Sequence, residues 1–334
     1  MQRWLGLDSL PADWGPCVVT IGVFDGVHRG HADIVGRAVA EARQRGIPSV
    51  LVTFVPHPAE VVRPGSHPPV LTTIERRAEL VEGLGVDVFC ALPFTYEFSQ
   101  LPPEDFAHAI LVDRLDAAAV IVGENFRFGH KAAGTVAVMQ ELGEKYGFRA
   151  EGVELLTDGS TVLSATFVRT CIERGDVAAA AHALGRPHRV DGIVERGDER
   201  GRELGYPTAN LHTTQWAAIP ADGVYAGRVV RLDADGRTLD APPLGTAAAI
   251  SIGTNPTFDG AERRVEAYVL DRTDLDLYEQ VVVLELVERL RPTLRFDSID
   301  DLVVHMHADV DRARAILGDG SGGSTPDVSP PPSA

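Results

Sequence analysis

The sequence predicts an α/β fold in two parts: a parallel sheet covered by helices, then an antiparallel β-barrel with a C-terminal helix. Three observations carry that expectation. Short apolar runs alternate with amphipathic helical patterns from residue 17 to about 184, the pattern of a parallel sheet with helices on both faces. Beyond Gly185-Arg186-Pro187, strand-like runs follow one another with only turn residues between them, the spacing of an antiparallel barrel. Ser298-Ile299-Asp300-Asp301 reads as a capping box that opens a last helix running to Leu317.

The chain has 334 residues, 44% of them hydrophobic. That is enough for two cores at roughly 150 residues per domain. The expected division is 1–185, 186–318 and a Gly/Ser/Pro-rich tail, 319–334, too poor in apolar residues to fold. The net charge is −17 and no basic block interrupts it, which argues against a nucleic-acid surface, because phosphate backbones need clustered Lys and Arg. Nucleotides need only a few local cations and stay open as ligands. Cys17, Cys90 and Cys171 form no C-x-x-C pair and read as reduced packing residues of a cytoplasmic protein. Residues 1–10 lack the basic start and apolar run of a signal peptide, and no apolar stretch reaches the roughly 20 residues of a membrane span. The expected partners are small molecules, with a homo-oligomer beyond them.

In chain order, residues 1–16 are a lead-in, an edge strand or loop. A buried strand at 17–21 precedes a helix from about His31, with apolar residues Ile34, Val35, Ala38, Val39 and Ala42 at three- and four-residue steps. Strands follow at 49–54, 86–92, 117–122 and near 152–155. The helices between them are 73–84, capped by Thr72 or Thr73, 104–114, entered through Pro102-Pro103, and 135–146, capped by Thr135. Two further helices bring the chain to about Leu184. The second half shows strand-like runs at 188–194, 223–232, 245–252, 264–270 and 280–290, with a polar-alternating strand at Thr208–Asn210 as well.

The stretch V-V-T-I-G-V-F-D-G-V-H-R-G-H, ending at His31, organises the first half. A strand, a turn containing Gly22, Phe24, Asp25 and Gly26, and a helix start bring backbone N–H groups and a positive dipole end to one spot that suits a phosphate. His28 and His31 add side-chain donors there; either one alone would read as a surface histidine. Asp25 reads equally as a metal contact or a turn contact. Ser164, Thr166 and Arg169 open another helix. They read evenly as a cap with a solvated Arg or as a triphosphate hold.

The second half has its own candidate site. Arg196, Gly197, Arg200, Gly201, Arg202 and Gly205 form a glycine-rich, Arg-bearing loop fit to wrap phosphates, although solvated hairpins look alike. Thr208 and Asn210, two apart on one side of a strand, offer neutral oxygens for a Mg²⁺ that takes its charge from ATP.

These motifs carry a resemblance. H-x-G-H resembles the nucleotidyltransferase signature, and G-x-F-D-G-x-H-x-G-H its FAD synthetase branch. The run from Gly192 to L-G-Y-P-T-A-N-L resembles the riboflavin kinase signature, as do Asp222-Gly223-Val224-Tyr225 and Gly253-Thr254-Asn255-Pro256-Thr257-Phe258. The chain from 1 to about 317 therefore resembles a bacterial bifunctional riboflavin kinase/FAD synthetase. The resemblance implies a Rossmann-like nucleotidyltransferase domain, then a riboflavin kinase barrel, with ATP, riboflavin and FMN as substrates, Mg²⁺ as Mg-ATP, and client flavoproteins as further partners. It implies that Glu266 is the kinase's catalytic carboxylate, whose plain alternative is a salt bridge to Arg263 or Arg264. It implies that Phe54, Pro56 and Pro58 line the first pocket; Asn125, Phe126 and Phe128 are further candidates for its flavin side, with one Phe as core. The family usually shows S-S-T-x-x-R where this chain has Ala165 between Ser164 and Thr166. The rivals are adenylyl transfer to another phosphorylated acceptor, such as a pantetheine phosphate, and a flavin-binding regulator without turnover.

Overall fold

The structure is a computed structural model that describes residues 1–11, 14–196, 206–214, 216–232, 245–257, 260–272 and 275–318. The disordered tail expected at 319–334 lies outside those residues. The chain folds into two compact units. One comprises Met1–Thr170 and Ala183–Arg186; the other comprises Cys171–His182 and the chain from Pro187 onwards.

The first unit is built on a six-stranded, all-parallel sheet of β1 (Gln2–Leu5), β2 (Cys17–Ile21), β3 (Ser49–Val55), β4 (Val88–Pro93), β5 (Ala117–Gly123) and β6 (Arg149–Val153), in the order β1-β4-β3-β2-β5-β6. The lead-in thus supplies an edge strand. The connecting helices are α1 (Arg29–Arg45), α2 (Pro58–Val62), α3 (Ile74–Gly83), α4 (Tyr96–Ser99), α5 (Pro103–Phe106) and α6 (Val136–Tyr146). Helix α5 continues as a π-helical segment, Ala107–Val112, where the sequence reads as one regular helix. Short α2 and α4 and a hairpin of β7 (Thr157–Asp158) and β8 (Thr161–Val162) have no sequence period long enough to announce them. Strand β2 is buried at all five positions because both of its faces are covered. Val19, Ile21, Val52, Cys90 and Leu111 pack on one side of the sheet; Val35, Leu51, Ala78, Val81 and Phe89 pack on the other.

The strand order decides where a ligand can lie. From β2 the chain moves outward through β3 and β4, then returns to place β5 on the other flank of β2. The loops after β2 and β5 therefore leave the sheet on either side of a switch point, where open α/β sheets form their crevice.

Helices α7 (Ala165–Arg174) and α8 (Val177–Leu184) follow. The second unit closes a barrel in the order β10-β13-β12-β11-β14-β9, all pairs antiparallel. Its strands are β9 (His188–Glu195), β10 (Thr208–Thr213), β11 (Gly223–Arg231), β12 (Thr246–Thr257), β13 (Gly260–Val269) and β14 (Val281–Pro292). The strand bearing Thr208 and Asn210 completes the ring that the five apolar runs leave open. Tyr225, Ile250, Ile252, Leu284 and Leu286 fill the interior with almost no exposure, each contributing about 1.5–3 kcal/mol through apolar burial. Helix α9 (Ile299–Leu317), capped by Ser298, packs outside the barrel against Tyr206, Ala226, Leu270 and Leu290.

Candidate active sites

The loop after β2 is held from below by Asp25, which is 3% exposed. Its carboxylate accepts from the backbone N–H groups of Leu71 (3.0 Å) and Thr72 (3.0 Å), the Thr72 hydroxyl (3.1 Å), Arg77 Nη2 (3.4 Å) and Arg169 Nη2 (2.5 Å). Of its two expected roles the structure supports the turn contact. Gly26, at φ 82°, donates its N–H to Thr72 Oγ1, and a side chain there would meet Leu71 at 2.8 Å. Gly22 closes β2 with its N–H on the Val52 carbonyl, and Phe24 is buried, so its side chain serves the core. Two guanidinium groups on one carboxylate leave a local surplus of positive charge, as an anion site needs.

His28 is the N-cap of α1. Its Nδ1 accepts the N–H of His31, so the neutral ring carries its proton, a donor, on Nε2. The His31 ring stacks on His28, with centroids 3.6 Å apart and planes 24° apart, and Phe24 meets His31 edge-on at 5.2 Å. Gly30 permits this stack; a Cβ there would lie 3.2 Å from the His28 ring and from the Leu163 carbonyl. Burial first, then the charges of Arg186 and Arg169, lower the His28 pKa to about 4 against the pull of Asp25. Burial, then His28, Arg77, Arg169 and Arg186, hold His31 well below its ordinary value. Both rings are thus neutral at neutral pH. His31 Nδ1 is buried without a hydrogen-bond partner among the described residues.

At the start of α7, Ser164 Oγ accepts the N–H of Phe167, a plain cap, while Thr166 is exposed. Arg169 is not solvated. It spans the Pro69 carbonyl (2.7 Å) and Asp25, which ties this helix to the histidine loop. Asn125 is exposed at the carboxyl end of β5. Phe128 is 5% exposed and belongs to the core, with half-buried Phe126 stacked on it at 5.6 Å. Phe54 packs against Phe94 and Phe98 at 5.4 and 6.1 Å. Phe98 meets Phe106, and Phe106 meets Phe128, so one aromatic path joins the loops after β3 and β5. Pro56 is exposed and Pro58 opens α2.

Sequence reasoning missed Arg77, Thr72, Phe94 and Phe98. Arg77 and Thr72 read only as part of a capped amphipathic helix, and nothing local marks Arg77 as 6% exposed.

In the second unit, Ala209 and Leu211 face the barrel interior, which places Thr208 and Asn210 on the outer face of β10. Asn210 pairs with Glu195 on β9 and with Glu266 on β13; Glu266 in turn pairs with Ser251 on β12. Val265 and Ala267 point inward, so Glu266 shares Asn210's face. Of the two basic neighbours considered for Glu266, Arg263 is engaged with Asp222 at 2.9 Å and with the Ile219 carbonyl. Arg196 lies 4.8 Å from the Tyr278 ring as a cation–π contact. Gly197, Arg202 and Gly205, with Arg200 and Gly201, lie outside the described residues. The outer-face donors are a hydroxyl, an amide oxygen and the carboxylates of Glu195 and Glu266, all hard oxygens. Among the described residues no group of three His, Cys, Asp or Glu could hold a metal. This set suits a Mg²⁺ that takes its remaining ligands from phosphate and water.

Comparison with known proteins bears on both units. The FAD synthetase family model matches residues 10–167, and the riboflavin kinase family model matches 184–317. A bifunctional riboflavin kinase/FMN adenylyltransferase of Pseudomonas fluorescens is 35% identical, covering 95% of this chain and 98% of that protein. One from Escherichia coli K12 is 33% identical, covering 90% and 93%. A crystal structure from Streptococcus pneumoniae, described as a macrolide-efflux protein, matches with a TM-score of 0.82 at 29% identity, covering 93% of this chain and 98% of that one. Among the described residues no helix is long and apolar enough to cross a membrane.

Proposed function

The chain belongs to the bifunctional riboflavin kinase/FMN adenylyltransferase family, and we propose which of its side chains carry each reaction. The C-terminal part phosphorylates riboflavin to FMN, and the N-terminal part adenylylates FMN to FAD.

In the kinase, Glu266 orients the 5′-hydroxyl of riboflavin and accepts its proton as the oxygen attacks the γ-phosphorus of ATP. Thr208 and Asn210 hold Mg²⁺, which when bound neutralises phosphate charge. Arg196 takes the phosphates, with Gly197, Arg202 and Gly205. The observation that carries this reading is the direct cross-strand pairing of Asn210 and Glu266.

In the adenylyltransferase, a phosphate oxygen of FMN attacks the α-phosphorus of a second ATP. The bond to the bridging oxygen breaks and pyrophosphate leaves. His28 and His31 donate neutral N–H groups to the phosphate oxygens, while Arg169 and Arg77 supply the positive charge. Gly22, Gly26, Ser164 and Thr166 leave the phosphates a close backbone approach. Phe54, Pro56, Pro58, Asn125 and Phe126 line the flavin side, with Phe128 supporting Phe126 from the core. The observation that carries this reading is a stacked pair of neutral imidazoles beside a carboxylate already claimed by two guanidinium groups. A cytoplasmic location accords with three buried free cysteines.

The test is product analysis with riboflavin, ATP and Mg²⁺. FMN followed by FAD is expected, and neither should form after chelation of the metal. Absence of both flavin nucleotides from the complete mixture would sink the reading.

A further inference from the structure

The turn that delivers His28 is strained. Phe24 stands at φ 50° and Val27 at φ 38°, with Gly26 between them at φ 82°. A β-branched residue in the left-handed region persists only where its surroundings over-determine it. Asp25 fixes one side of this turn through Leu71 and Thr72. The other side is fixed by Arg186. Its Nη2 donates to the Gly26 carbonyl, and its Nη1 donates to the carbonyls of Val27 and Leu184, each at 3.0 Å. The first two carbonyls immediately precede His28.

By sequence Arg186 belongs to the other half. It lies beyond the stretch 10–167 matched by the FAD synthetase model and within the stretch 184–317 matched by the riboflavin kinase model. A boundary at 185 likewise assigns it to the barrel. In space, Ala183–Arg186 belong to the first compact unit.

We propose that Arg186 is a positioning residue of the FMN adenylyltransferase: its guanidinium clamps the Gly26 and Val27 carbonyls, holding the turn so that the His28 ring meets His31. This rests on the assignment of His28 and His31 to that reaction. The planar fork of a guanidinium can reach several carbonyls at once, which a compact ammonium cannot. The charged groups that face His28 are Arg186, Arg169 and Asp25, with His31 stacked on it and Arg77 beside His31.

The test uses the full chain with Arg186→Met and Arg186→Lys. FMN-to-FAD turnover is measured against pH, with riboflavin phosphorylation in the same preparation as an internal control and His28 followed by NMR titration. For Arg186→Met, kcat for FAD formation falls about 100-fold, the scale of a small misplacement of a catalytic group, and riboflavin phosphorylation is retained. The His28 titration moves to higher pH, because a neighbouring positive charge has gone. For Arg186→Lys, the titration stays near its original place and kcat lies between the two. Undiminished FAD formation in Arg186→Met overturns the proposal. So do equal losses in both variants with the His28 titration unmoved, the result of a merely structural role. If Arg186→Met does not fold, Arg186→Lys decides: reduced kcat with the titration in place sustains the proposal, and undiminished kcat overturns it. Failure of the unmodified chain to convert FMN to FAD would instead sink the underlying assignment.

Discussion

Asn210 on β10 stands directly opposite Glu266 on β13, although they lie 56 positions apart in the chain. In an antiparallel pair such neighbours bring their Cβ atoms to about 5 Å. An amide oxygen for a metal-bound nucleotide and a carboxylate for a hydroxyl thus share one outer face of the barrel. Glu266→Gln keeps the shape and removes the proton acceptor. FMN formation should fall by about 10²–10⁴-fold, while added FMN is still converted to FAD. Steady-state rates of the two half-reactions decide it, and loss of both steps in a folded variant would break the assignment.

Asn210→Ala should block FMN formation from riboflavin and leave FMN-to-FAD conversion intact. His31→Ala should do the reverse, abolishing FAD while FMN accumulates. Chromatography of the flavins formed by each variant tests the pair, and either variant losing both activities while folded contradicts the division.

Removing Asp25 strands two cations. Arg77 and Arg169, with side chains 7% and 17% exposed, both face its 3% exposed carboxylate. Breaking a buried pair by deleting one partner costs about 3–5 kcal/mol. Asp25→Ala is expected to destabilise the first unit by that order and to abolish FAD formation. Chemical denaturation and the riboflavin kinase rate of the same variant check it; a change below about 1 kcal/mol would show that water already screens the cluster.

The histidine pair makes the first unit acid-labile. His28 titrates near 6.5 when unfolded and at about 4 when folded. Between those values the unfolded chain binds more protons, so stability rises with pH there and is lost as pH falls from about 6.5 towards about 4. His31, lowered in the same direction, adds to the effect. Unfolding midpoints at pH 7 and pH 5 should differ for the unmodified chain. The difference should shrink in His28→Asn, which keeps a capping side chain.

Much of the candidate machinery was legible as local pattern. The spacing of His28 and His31 after a buried strand, the alternation of Thr208 and Asn210, and the run around Glu266 each show themselves within a dozen residues. Backbone geometry is local there: a helix start, a pleat and a glycine turn follow from neighbouring residue types. The cap of Ser298 and the apolar runs of the barrel were visible for the same reason.

The sequence by itself thus determined the two fold types, their order and the residues able to donate to phosphate or metal. Tertiary structure alone decided how those residues are charged and held. Asp25 meets Arg77 and Arg169 across 52 and 144 positions of chain, and Arg186 reaches back 160 positions to Gly26. Such contacts depend on strand order and burial. Removal from water, more than residue type, makes the two imidazoles neutral and turns a surface-like arginine such as Arg77 into a buried one.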